Sequence, residues 1–141
     1  LPVCGELESD DQDLLDSAQV LLVECRVAFD VQAFHIALEK IWVVVRAANA
    51  YIDHQAPWAL KKEDPARMET VLFVLAEIIR RLAILIQPVV PDSAGKLLDQ
   101  LAVSADARDF AALGDEPGLV SGTELPKPEG VFPRYVEKTS K

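Results

Sequence analysis

The chain has 141 residues, half of them hydrophobic, and a formal net charge of −9. That length and apolar content suit one domain with its own core and exclude both a second domain and a chain too polar to fold. The net charge argues against nucleic acid as a partner, but residues 1–25 hold seven acids and no Lys or Arg while residues 26–96 hold nine basic residues against eight acids, so the total does not settle the question.

The chain opens on "LPVCGELESDD", without an initiator Met, as a piece cut from something longer would. No basic region precedes an apolar run there, so no secretory signal is read. Cys4 and Cys25 show neither metal spacing nor a disulfide framework, and Cys25 falls on an apolar helix face as a buried thiol. This usage points to a reducing cytoplasm.

The first helical signal is "SDDQ" at residues 9–12, a capping-box pattern with Ser9 as cap and Gln12 reaching back. Leu14, Leu15, Ala18, Leu21, Leu22, Cys25 and Phe29 then follow at the spacing of one helix. Asp30 is read as the cap of a second helix with apolar positions Phe34, Leu38, Ile41, Val45, Ala48 and Ile52. "EDPAR" starts a third, with Asp64 at the cap and Pro65 at the first helical position. Its wide apolar stripe runs through Met68, Val71, Leu72, Leu75, Ile78, Ile79, Leu82 and Ile86 to the stop "QPVVP".

Residues 71–90 have the length of a membrane span, but Glu77, Arg80 and Arg81 lie within them at high cost in hydrocarbon, so a buried amphipathic helix is expected instead. A shorter helix follows over residues 92–101, then a weak helical turn or two over 105–113. No segment alternates with the period of a strand. The pattern predicts an all-α antiparallel helix bundle over residues 1–113. Residues 114–141, broken by recurrent Pro and Gly, are either disordered or, given Leu125, Val131, Phe132 and Tyr135, an extended C-terminal strap laid over a surface.

No Gly-rich phosphate loop, no metal-spaced cluster and no strand to carry a nucleophile is present. His35 and His54 stand nineteen residues apart on one helix, roughly 28 Å along its axis, and cannot share a ligand. Asp10 and Asp11 read as a solvated first turn. No catalytic residue and no metal ligand is assigned; the chain reads as a binding module.

The second helix has a polar strip, Glu39, Arg46, Asn49 and Asp53, with Trp42 on it or at its border. The strip leads into "QAPW", and Lys61 and Lys62 follow Trp58. Two readings stay open for Trp58 on physical grounds. Its indole is either a plug closing the corner between two helices, or a platform on which an unstacked base lies while neighbouring polar groups read its edge and Lys neutralises phosphate.

Residues 37–101 resemble the α-helical anticodon-binding domain of bacterial methionyl-tRNA synthetases, through the ordered set Asn49, Tyr51, Asp53, Ala56, Pro57, Trp58 and the continuation "QPVVPDSAGKLLDQL". "LPKPEGVFPRY" at residues 125–135 is similar to the strap that ends the family's conserved core and returns toward the catalytic half. The resemblance implies that Trp58 stacks on an anticodon base of tRNA(Met), with Asn49 and Asp53 at or beneath the RNA surface. Arg46, Lys61 and Lys62, from the residues themselves, are the candidate phosphate contacts. One departure is Ala50, where the family commonly has a basic residue.

The resemblance also implies an upstream helix, with the Asn and Arg that read the anticodon edge, and a catalytic domain, both outside this chain. The implied partners are therefore tRNA(Met) and that catalytic domain, with no membrane and no DNA. No cofactor belongs to this chain; ATP, and zinc in a zinc-bearing insertion, belong to the catalytic part, and the location is cytoplasmic. The alternatives are a stand-alone helical protein-interaction module derived from a synthetase, or the bundle of an isoleucine, valine or leucine enzyme, where this Asn-to-Trp spacing is not expected.

Overall fold

The computed structural model describes residues 1–115 and 117–132. Tyr135 and the end of the strap lie outside the described residues. Six helices follow one another: α1 (Ser9–Gln19), α2 (Leu21–Asp30), α3 (Phe34–Gln55), α4 (Pro57–Glu63), α5 (Pro65–Ile86) and α6 (Pro91–Gln100). Single 3-10 turns occupy Ala105–Ala107 and Phe110–Ala112, and no strand occurs among the described residues. The chain is an all-helical bundle.

Helix α5 is its axis, packed against α1, α3, α4 and α6, while α2 lies on α3. Its start follows the expected chemistry: the Asp64 carboxylate accepts from the Arg67 amide at 3.0 Å and Pro65 occupies the first turn, where its missing N–H costs nothing. The expected stripe is too narrow. Phe73, Val74, Ala83, Ile84 and Leu85 are buried as well, because α6 covers a second side of α5, whereas Leu72 and Ile79 of the expected stripe are exposed. One cluster joins α1, α2, α3 and the side of α5 that carries Val71, Val74, Leu75, Ile78 and Leu85; a second joins Phe73, Ala83 and Ile84 to Leu98 of α6, Val103 and Leu119.

Several local expectations need correction. The first helix is two, separated at Val20, which keeps helical dihedrals. Its N-cap is Glu8, one residue early: the Glu8 amide donates to Asp11 Oδ2 at 2.9 Å, so Asp11 rather than Gln12 closes the turn. Asp30 ends α2 and caps nothing; Ala33 precedes α3. Phe29 and Phe34 are exposed and pack edge to face on each other, with centroids 4.9 Å apart. Helix α4 occupies what reads as a turn, its seven residues being too few to display a period.

The charges inside α5 are more deeply buried than an amphipathic helix requires. Glu77 is fully buried and accepts from Arg80 Nε and Nη2 at 2.9 and 2.6 Å, from Arg81 Nε at 2.9 Å, and from the Gly118 amide at 3.2 Å. Arg80 and Arg81 then donate to the carbonyls of Ala112 and Gly114. The segment after η-turn Phe110–Ala112 is thereby tied to the middle of α5. No helix among the described residues is long and apolar enough to cross a membrane.

Candidate nucleic-acid interface

Glu39, Trp42, Arg46, Asn49 and Asp53 recur at steps of three and four along α3, which puts them on one face, and all five are exposed. The strip borders an apolar groove of about 410 Å³ between α3 and α5, walled by Trp42, Val45, Asn49, Ile52, Ile79 and Leu82. Of the six stripe positions expected to be core on α3, five (Leu38, Ile41, Val45, Ala48 and Ile52) therefore line this groove, and Trp42 stands at the border of groove and strip.

The strip ends at a sharp corner. Ala56 takes left-handed dihedrals (φ 45°, ψ 61°), and its amide closes α3 onto the Ile52 carbonyl at 3.0 Å. Pro57 then starts α4 with its φ already helical, so the chain turns from one helix into the next through a single residue. Trp58 follows and is 62 % exposed. It is not the plug of the corner; Leu60, one turn-face away, packs against the core in that role. Lys61 and Lys62 are exposed on the same short helix. Arg46, Asn49, Asp53, Lys61 and Lys62 make no side-chain hydrogen bond or ion pair among the described residues, which leaves their polar groups available.

Beneath the corner lies a network that sequence reasoning missed. Asp11, expected in solvent, is fully buried. Arg67 grips it with both ends of the guanidinium, Nη1 to Oδ2 at 2.5 Å and Nη2 to Oδ1 at 2.7 Å, and the Tyr51 hydroxyl donates to Oδ1 at 2.5 Å. Arg67 Nη2 also donates to Gln55 Oε1 at 2.9 Å, and Gln55 Nε2 donates to Asp10 Oδ2 at 3.1 Å. Nothing local signals this, because an Asp in a first turn is ordinary and its partners are 40 and 56 residues away.

Burial alone would raise the Asp11 carboxyl, but the Arg67 guanidinium, the Tyr51 hydroxyl and the Glu8 amide outweigh it and hold the pKa below its usual value. Burial and the adjacent carboxylate push the Tyr51 phenol up. A depressed carboxyl stabilises the fold fully above its unfolded pKa and loses that contribution as pH falls through the native one. Unfolding midpoints should therefore drop on acidification below about pH 4, and Asp11→Asn should flatten that drop in a thermal-unfolding series across acidic pH.

The model for the anticodon-binding domain of methionyl-tRNA ligase matches residues 1–140, bundle and strap together. The chain belongs to this family. The methionine–tRNA ligase of Mesorhizobium japonicum is 54 % identical over 138 residues, 98 % of this chain and 27 % of that protein. That of Rhizobium meliloti is 52 % identical over 96 % of the chain and 26 % of its own length. The free-state crystal structure of Mycobacterium tuberculosis methionyl-tRNA synthetase matches with a TM-score of 0.90 at 48 % identity, covering 96 % of this chain and 28 % of that one.

This anticodon-binding domain thus spans about a quarter of the curated ligases it matches. The relatives are ligases rather than free-standing modules, and nothing supports the stand-alone alternative. Among the described residues no three His, Cys, Asp or Glu side chains come together as a metal site.

Proposed function

We propose that this chain receives the anticodon arm of tRNA(Met) for a methionine–tRNA ligase acting in the cytoplasm. The catalytic part, outside this chain, would use ATP to attach methionine. The observation that carries the reading is the indole of Trp58, 62 % exposed on a backbone corner at the end of an exposed polar strip. A flat apolar face held out of the core and largely exposed suits an unstacked base.

On this reading Asn49 and Asp53 meet base edges or support the RNA surface from α3, and Arg46, Lys61 and Lys62 meet phosphate. The groove between α3 and α5 is the seat of the upstream helix that the family resemblance implies, residues 1–113 are the bundle proper, and the strap of residues 114–141 runs toward the catalytic domain. Neither DNA nor a membrane is a partner. The test is tRNA(Met) binding by the full-length ligase and its Trp58→Ala form at one stated salt concentration. Weaker binding by the variant supports the reading, and equal binding removes Trp58 from the interface.

A further inference from the structure

Helix α4 is too short to hold its own direction, having fewer than two turns, yet it carries Trp58. Both of its flanks are tied to one residue. Arg67 donates from its side chain to Gln55 Oε1, just before the left-handed Ala56, and from its backbone amide to Asp64 Oδ1, just after Glu63. Arg67 itself cannot swing, because Asp11 holds both ends of its guanidinium and Tyr51 holds Asp11. Tyr51 and Gln55 are one turn apart on α3, so the end of that helix is anchored twice to the same buried pair. The NH2 of the same Gln55 amide is also used, donating to Asp10 Oδ2.

We infer that Gln55 and Arg67 are positioning residues for Trp58: Arg67 staples the two flanks of α4 together, and Gln55 fixes the angle at which α4, and with it the indole, leaves α3. This rests on the anticodon reading of Trp58 and adds what sets the platform's orientation. A stacking face must lie parallel to its base, so a tilt of the elbow weakens the contact while the indole stays as exposed as before.

Gln55 is the residue to change, since Arg67→Ala would strip the buried Asp11 of its counter-charge and could unfold the domain. In the full-length ligase, Gln55→Ala should raise the KM for tRNA(Met) about tenfold with kcat within about twofold. Gln55→Glu combined with Asp10→Asn, which keeps an acceptor for Arg67 and restores a donor–acceptor pair between positions 10 and 55, should recover most of that loss. In protein labelled with 5-fluorotryptophan, the resonance assigned to Trp58 by its absence in Trp58→Phe should broaden or split in Gln55→Ala and return to one line in that exchanged pair.

The double variant Gln55→Ala/Trp58→Ala should be no worse than Trp58→Ala, because Gln55 acts through the indole. Additive losses, or a Gln55→Ala enzyme with the parent KM, overturn the inference while leaving Trp58 in the interface. A Trp58→Ala enzyme with unchanged tRNA kinetics overturns the anticodon reading and this inference with it.

Discussion

In the full-length ligase, Trp58→Ala is expected to lower kcat/KM for aminoacylation of tRNA(Met) by about ten- to a hundredfold, and to leave methionine-dependent ATP–pyrophosphate exchange unchanged. The size follows from stacking: an aromatic side chain under a base contributes about 1–3 kcal/mol by alanine substitution. The selectivity follows from position, because Trp58 stands exposed at the α3–α4 corner and packs into neither core cluster. Removing it costs the fold little. Trp58→Phe should keep part of the activity, since a smaller ring still stacks. A uniform loss in both assays would instead mark a fold defect, and unchanged aminoacylation would dismiss the stacking role.

The largest effect on stability is expected at Glu77. One carboxylate there serves two buried guanidinium groups and the Gly118 amide. Glu77→Ala leaves those cations facing each other without a counter-charge, a change that costs about 3–5 kcal/mol where one partner of a buried pair is deleted. Hydrogen exchange of the α5 amides in the full-length protein should report it as a loss of protection centred on α5 and residues 112–118. Replacing Glu77, Arg80 and Arg81 together by apolar residues of similar volume should cost less than the single change, because no charge is then stranded. The reverse order would show that the cluster contributes more than its own mutual neutralisation.

The parts legible in the sequence are those whose cause is local. The Asp64–Pro65 start of α5, the helical period through α3, and the Pro-bounded α6 depend on residues a few positions apart, and they fold as their spacing predicts. Helix α4 was not legible, since "PWALKKE" is shorter than the window in which a period shows. Asp11 was misplaced because its burial comes from Arg67 and Tyr51, which only the fold brings to it. Glu77, Arg80 and Arg81 have visible i, i+3 and i, i+4 spacing, but their depth depends on carbonyls that come back from residues 112 and 114. For Trp58 the Pro that precedes it marks a corner, and a corner can point its side chain either way. Leu60 takes the inward position and frees the indole to point outward.

The thin supply of cations along the strip has a consequence for how an RNA would leave. Each phosphate neutralised on a single-stranded loop steepens the double-logarithmic dependence of affinity on salt by about 0.7, so Arg46, Lys61 and Lys62 together account for a slope near −2. A fourfold rise in salt would then loosen this contact only about 20-fold, where a groove lined with ten basic groups would lose affinity by several orders of magnitude. Across the corner, the exposed Asp10 and Asp13 of α1 repel a backbone that arrives from the wrong side. On the proposed reading, non-cognate RNA held by charge alone would find little to grip, and residence at this corner would be governed by how well one base fits the indole.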